Sequence, residues 1–182
     1  GATVSTALYN EASTPVIQTT DLISSSGGVC YGMFNSIGSN PLMTGGSIFA
    51  ALCATNVGVK NVNGASALLT HVVITVLGGS INAGVWNTDA GTGSSTGLRI
   101  TVFPGFQSYA IFNEASGGNF VVDIDNSVLI GSTNVIRNDP AFTTRIGASK
   151  LEGGPVIGGG NVICAGVHDE GYTFFPGPGC PP

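Results

Sequence analysis

The sequence predicts a single all-β domain, a β-sandwich or jelly roll of antiparallel strands with Gly-, Ser-, Asn- and Pro-rich loops. Apolar and polar residues alternate with a period of two in many short segments, as they do in strands with one buried face. The chain contains 29 glycines and 9 prolines, too many for a helix-rich protein. Turn residues separate the apolar segments at short intervals, which is typical of sandwiches and jelly rolls.

The alternation is clearest in residues 71–77 and 120–125, where Val72, Ile74, Val122 and Ile124 mark one face of each strand. The following strands are predicted: Thr3–Tyr9, Val16–Ile23, Val29–Phe34, residues 71–77, Ile81–Trp86, Leu98–Phe103, Phe120–Asp125, Val128–Ile130, Phe142–Ile146, Asn161–Ala165 and Tyr172–Phe175. Ser47–Cys53 is expected to form a short helix, and Asn87–Gly97 an exposed loop.

We expect one domain over residues 1–182, because no shift in composition divides the chain. Residues 1–12 are predicted to be an N-terminal extension that donates a strand to a neighbouring molecule, and residues 171–182 an irregular Pro/Gly tail. Ser66–Trp86 is uncharged and apolar, but it is β-branched and contains Gly78-Gly79, so two buried strands fit better than a membrane span.

Charge is scarce: 5 Lys or Arg and 10 Asp or Glu make up 8% of the chain, against about 25% in ordinary domains. Surface charge keeps soluble proteins apart, so a chain with so little is expected to cover its surface with copies of itself. The net charge of −5 excludes a nucleic-acid footprint, which needs many basic residues.

Four cysteines allow three pairings. Cys30–Cys53 and Cys164–Cys180 are favoured because each pair closes a short loop, and two disulfides indicate an oxidising, extracellular location. The alternative is four buried free thiols.

Few residues suggest chemistry, and we expect no enzyme. Residues 93–97 match the G-x-S-x-G pattern of serine hydrolases, but they lie in a predicted polar loop without the required strand and helix. His71 is interpreted as a strand residue, and His168-Asp169-Glu170 as a solvated turn. No cofactor is implied apart from calcium.

Asp123 and Asp125 are a weak calcium candidate. They lie two apart on one predicted strand and so face the same side, where their like charges need a positive partner. That partner is either Ca²⁺ or an arginine such as Arg99 or Arg145.

One segment is repeated. Residues 7–13 (ALYNEAS) return as residues 110–116 (AIFNEAS), with five identical positions. Either the biased composition produces this match by coincidence, or the two segments occupy equivalent places in a sheet, one of which is filled by a neighbouring subunit's N-terminus.

The composition resembles that of subunits of microbial surface filaments, sheaths and pili, without a diagnostic motif. We therefore expect a secreted structural subunit that polymerises with copies of itself, with Thr3, Val4, Thr6, Leu8 and Tyr9 adding as a strand to a neighbour's open sheet. One alternative is a carbohydrate-binding or adhesin module that uses Trp86, Tyr109 and the loop Asn87–Gly97. The other is a viral coat or fibre subunit with a jelly-roll core.

Overall fold

The chain forms a parallel β-solenoid of about six turns, in place of the predicted antiparallel sandwich or jelly roll. The computed structural model describes residues 3–89, 93–115, 117–177 and 180. The strands are β1 (Val4–Glu11), β2 (Val16–Ser36), β3 (Leu42–Val62), β4 (Leu68–Thr70), β5 (Val73–Leu77), β6 (Ile81–Thr88), β7 (Gly93–Thr96), β8 (Arg99–Val102), β9 (Gln107–Glu114), β10 (Phe120–Asp125), β11 (Val128–Gly131), β12 (Asn134–Asn138), β13 (Phe142–Gly147), β14 (Lys150–Gly153), β15 (Val156–Ile157), β16 (Asn161–Ala165), β17 (Val167–His168) and β18 (Phe174–Phe175).

Each turn contributes one strand segment to each of three parallel sheets. Sheet 1 contains β1, residues 29–36, residues 55–62, β6, β9, β12 and β15. Sheet 2 contains residues 16–20, residues 42–46, β4, β7, β10, β13 and β16. Sheet 3 contains residues 21–25, residues 47–51, β5, β8, β11, β14 and β17, with β18 antiparallel to β17.

The repeat length sets this register. Val4 pairs with Val29, Val29 with Thr55, Thr55 with Ile81 and Ile81 with Gln107, so equivalent residues lie 25 or 26 positions apart. A period of two identifies a strand but carries no information about the direction of its neighbour. The predicted fold was therefore wrong in strand direction and connectivity, although the all-β class is confirmed.

Two predicted elements also change. Ser47–Cys53 lies within β3 and is extended, because its side chains continue the columns of the solenoid. Of the predicted loop Asn87–Gly97, residues 87–88 end β6 and Gly93–Thr96 form β7, while residues 90–92 lie outside the described part.

Apolar columns fill the interior. The same branched residue types recur at each turn because a parallel, in-register stack places equivalent side chains directly above one another. Sheet 3 contributes Leu22, Ile48, Ile74, Ile100, Leu129 and Leu151, and sheet 1 contributes Met33, Val59, Val85, Ile111 and Ile136; all are at most 8% exposed.

A glycine column lets sheets 1 and 3 approach closely. A Cβ added to Gly58 would lie 2.3 Å from Ile74 Cγ2, and one added to Gly84 would lie 2.3 Å from Ile100 Cγ2. Only glycine leaves room for these isoleucines, so the glycines fix the thickness of the core.

An asparagine ladder runs along the inside of sheet 1. Each Asn side chain except the last donates from Nδ2 to Oδ1 of the Asn in the next turn, over distances of 2.7 to 2.8 Å, and Asn138 Nδ2 donates to the Asn161 carbonyl at 2.8 Å. Its members, all at most 5% exposed, are Asn10, Asn35, Asn61, Asn87, Asn113 and Asn138. The ladder satisfies amides that would otherwise be costly to bury.

The repeated heptapeptide has a structural explanation in this ladder. Asn10 and Asn113 are members of the same column, connected through the intervening turns, so residues 7–13 and 110–116 occupy equivalent positions within one chain. The repeat is therefore explained by equivalent places in one sheet and not by coincidence. Both places are occupied by segments of the same chain, without a neighbouring subunit. Residue 116 lies outside the described part.

A left-handed residue at each turn makes the bend between sheets 2 and 3. The equivalent positions are Thr19, Gly45, His71, Gly97, Asn126, Ala148 and Gly166, with φ between 44° and 68°. His71 is thus an exposed bend residue and not the strand residue that was predicted. One residue in this conformation turns the chain from one sheet to the next.

Candidate functional site

The two ends of the solenoid are unlike, and the strands that the structure describes at the N-terminal end have an unpaired edge. In the described part of the chain, β1 pairs only with residues 29–36, and residues 16–25 pair only with the next turn. We call β1 and residues 16–25 the N-terminal edge. Unpaired strand edges invite pairing with another chain.

The orientation of β1 shows which backbone groups face outward along the edge. The Val29 N–H donates to Thr3 C=O at 3.1 Å, so Thr3 points toward the next turn. Alternate residues of a strand direct their N–H and C=O groups to opposite sides, so those of Val4 and Thr6 face the open edge.

Apolar side chains surround this edge on all three sheets. Val4 is 62% exposed and Tyr9 57% on sheet 1, Val16 is 65% exposed on sheet 2, and Ile23 is 64% exposed on sheet 3. Leu8, by contrast, is partly buried and packs against the core. Of the predicted assembly residues, Val4 and Tyr9 thus expose their side chains and Thr6 directs its backbone groups to the open edge, whereas the Thr3 carbonyl is used by the next turn.

The first disulfide stabilises the open end. Cys30 and Cys53 are bonded, as predicted, and connect the first two turns. Cys30 occupies the column position held by Asn56 and Asn82 in later turns. There, Asn56 accepts a hydrogen bond from Cys53 N and donates to Cys53 O, which closes the bend between sheets 3 and 1. The disulfide instead joins Cys30, at this column position, to Cys53 in the bend of the next turn.

At the C-terminal end, the tail covers sheets 2 and 3. Strand β18 pairs antiparallel with β17, and the predicted disulfide Cys164–Cys180 attaches the tail to β16. A Cβ on Gly177 would lie 2.7 Å from Cys164 O, so the tail lies directly against that strand. The Pro/Gly segment from residue 171, predicted to be irregular, contains this short strand; residues 178, 179, 181 and 182 lie outside the described part.

The His168-Asp169-Glu170 segment belongs to the same cover. The Thr173 N–H donates to Asp169 Oδ1 at 2.7 Å, and this backbone hydrogen bond lowers the pKa of Asp169. Glu170 Oε2 accepts the Gly153 N–H at 2.9 Å. Glu170 therefore satisfies a backbone donor of β14, beyond the short pairing of β14 with β17. The segment is a turn, as the sequence indicated.

Asp123 has an arginine partner. Arg145, in the adjacent strand, donates from Nε and Nη2 to the two carboxylate oxygens at 2.5 and 2.6 Å. This bidentate pair raises the pKa of Arg145, through the hydrogen bond and then the charge of Asp123. The arginine alternative thus accounts for Asp123 and Asp125 facing one side. Within the described residues, no group of three or more His, Cys, Asp or Glu side chains is arranged to hold a metal ion.

A column of aromatic and basic residues lies outside sheet 1. It contains Tyr9, Phe34, Lys60, Trp86, Phe112 and Arg137. Lys60 Nζ lies 3.7 Å from the Trp86 ring centroid, and the Phe112 ring packs on Trp86 at 4.9 Å. Tyr109 is 3% exposed. The two aromatic residues that the binding-module alternative uses as stacking surfaces are thus engaged by neighbours in the chain.

Lys60 is a residue of this column that the sequence analysis did not identify as a candidate. It is only 7% exposed, donates to Thr88 Oγ1 and lies 3.9 Å from Glu114 Oε1. Burial lowers the pKa of Lys60 to about 8, although the charge of Glu114 opposes the shift. Its recurrence position, 26 residues before Trp86, is the signal that could have placed it on this face.

The G-x-S-x-G pattern has no catalytic context. Residues 93–96 form β7 and Gly97 is a bend residue, so the strand-then-helix geometry of a nucleophile elbow is not formed there. Among the described residues, no helix is long and apolar enough to cross a membrane.

The fold and its two unlike ends define the class of protein: a disulfide-bonded parallel β-solenoid whose described strands leave the N-terminal edge open and whose tail covers two of the three sheets at the C-terminal end. Comparison of the chain with protein-family models, with curated proteins and with solved structures gave no match.

Proposed function

We propose that this protein is a secreted structural subunit that assembles with copies of itself into an extracellular filament, sheath or layer. The observation that carries the proposal is the open N-terminal edge, with Val4, Tyr9, Val16 and Ile23 exposed around it. Such an edge supplies backbone hydrogen bonds and apolar contact to a second strand-bearing molecule.

The side faces support the same function. Large apolar side chains are also exposed along the length of the solenoid, including Leu68, Ile157 and Ile163. With only 15 charged residues in the chain, few charges separate one molecule from another. The two disulfides are consistent with the extracellular location that such an assembly requires.

Residues 1–12 are not a separate extension in this fold, which changes how they could pair with a neighbour. β1 is already a rung of its own solenoid, so we propose that it contributes its free edge to a neighbour while it stays paired with β2. A viral jelly-roll coat loses its structural basis, because the fold is a solenoid.

The test is the association state of the purified, oxidised chain. Sedimentation velocity over a hundredfold range of concentration, with negative-stain microscopy of the same samples, should show species that grow with concentration. A single monomeric species of 18.2 kDa at every concentration would contradict the proposal.

A further inference from the structure

We infer that the N-terminal edges of two copies pair head to head about a twofold axis, and that the disulfide-bonded tail stops growth at the other end. The inference deepens the proposed self-assembly by naming the contact surface and its partner. It rests on the difference between the two ends of the solenoid.

The partner must present strand edges in the same arrangement as the N-terminal edge. That edge has segments on all three sheets, 8 residues in β1 and the first 10 of β2. A single extended peptide pairs with one segment at a time. A second solenoid end of the same cross-section meets all three together.

Of the two ends of a second copy, only the N-terminal one has a free edge on all three sheets in the described part of the chain. At the C-terminal end, β18 pairs with β17 and the tail packs against β16. Glu170 accepts a hydrogen bond from the Gly153 N–H. A head-to-tail stack would have to displace this disulfide-bonded cover. Two N-terminal edges meet without any rearrangement.

Twofold symmetry fits the edge geometry. It places β1 antiparallel to β1 of the second copy, so the outward N–H and C=O groups of Val4 and Thr6 meet groups of the same kind. Residues 16–20 of one copy then face residues 21–25 of the other. The contact closes on itself, so end pairing gives a dimer, and further growth must use the side faces.

The buried area is sufficient for a specific contact. An edge of 18 residues, at about 3.4 Å per residue and a wall about 10 Å thick, covers roughly 600 Å² per copy. The total of about 1,200 Å² lies at the lower end of the range for specific protein interfaces. The exposed side chains of Val4, Val16 and Ile23 provide the apolar part.

The experiment compares edge variants with a matched side-face control. Val4→Lys puts a charge on the N-terminal edge, and Thr6→Pro removes a backbone donor that faces it. Val73→Lys introduces the same charge on sheet 3, in the middle of the solenoid, where Val73 is 42% exposed. Circular dichroism melting of each variant verifies that the fold is retained.

Sedimentation and small-angle X-ray scattering at dilute concentration should show a dimer for the wild type and for Val73→Lys. With about 4.8 Å per rung and about six turns, the solenoid is roughly 30 Å long, so an end-on dimer extends to about 60 Å along its axis. Both edge variants should be monomeric, with a dissociation constant raised at least tenfold.

A second arm removes the cover. In the double variant Cys164→Ser/Cys180→Ser the tail is released, the C-terminal rungs become available, and rods longer than the dimer should form.

The outcomes separate the two proposals. Assembly that persists unchanged in Val4→Lys and Thr6→Pro, or a side-by-side shape in scattering, overturns the head-to-head contact and leaves self-assembly standing. If the wild type is monomeric at every concentration, both the head-to-head contact and the proposed self-assembly are overturned. If the wild type forms rods as long as those of the double serine variant, the tail does not stop growth, and that part of the inference is overturned.

Discussion

Replacing an interior member of the asparagine ladder should destabilise the protein far more than replacing its first member. Asn61 accepts from Asn35 Nδ2 and donates to Asn87 Oδ1, both at 2.8 Å, and is 4% exposed. Asn61→Ala leaves one buried donor and one buried acceptor without partners. Each such group costs about 1–3 kcal/mol, so the two together are expected to lower the free energy of unfolding by roughly 2–6 kcal/mol.

Asn10→Ala is the matched control. Asn10 forms one ladder bond, to Asn35, at the open end, so its replacement leaves one unpaired group and should cost about 1–3 kcal/mol, half of the loss at Asn61. The substitution removes the same atoms at both sites, and both sites are buried. The ratio of the two losses therefore reports the ladder and not the side-chain volume.

The assay is equilibrium denaturation in guanidinium chloride, followed by circular dichroism, with the slope of the transition compared between variants. A loss of about 4 kcal/mol, the middle of the range for Asn61→Ala, is a large share of the roughly 5–15 kcal/mol typical of whole domains, so a clear shift of the midpoint is expected. If Asn61→Ala costs no more than Asn10→Ala, the ladder bonds do not stabilise the fold as argued here.

Two further predictions concern a bend and the buried lysine. Ala148 has a φ of 44°, so Ala148→Gly should stabilise the protein by about 1 kcal/mol, whereas Ala165→Gly, in strand β16, should destabilise it. If denaturant titrations show that both substitutions change the free energy of unfolding in the same direction, the left-handed bend at Ala148 does not cost stability. For Lys60, the folded-state pKa of about 8 lies below the ordinary 10.5, so folding disfavours the charged form, and this cost is fully present below pH 8. The stability of the wild type relative to Lys60→Met should therefore rise by about 3 kcal/mol between pH 7 and 10.5, and a difference that does not change with pH would refute the assigned pKa.

Local features of the sequence predicted the strands and the disulfides well. Strands at Phe120–Asp125, Val128–Ile130 and Phe142–Ile146 lie where the alternation placed them, since one face of each strand is buried whatever the fold. Cys164–Cys180 followed from loop length. Each of these inferences depends only on residues close together in the chain.

The solenoid could not be read from local alternation, because its signal lies in the spacing between turns. Asn35, Asn61, Asn87 and Asn113 recur every 26 residues, and this recurrence distinguishes stacked turns from a sandwich. The heptapeptide repeat contained the same signal, but its two copies are separated by three intervening turns, in which Asn persists while its neighbours vary. The burial of Lys60 depends on Trp86 and Thr88 in the next turn and needs the register to be known.

Turn length in this solenoid varies at particular corners. Twelve positions separate Asn113 from Asp125, whereas nine separate the equivalent Asn87 and Thr96, yet the strands on both sides remain in register. The three additional residues are absorbed where the chain leaves sheet 1 for sheet 2. That corner is thus a natural insertion point, where a foreign peptide could be displayed on the outside of an otherwise unaltered scaffold.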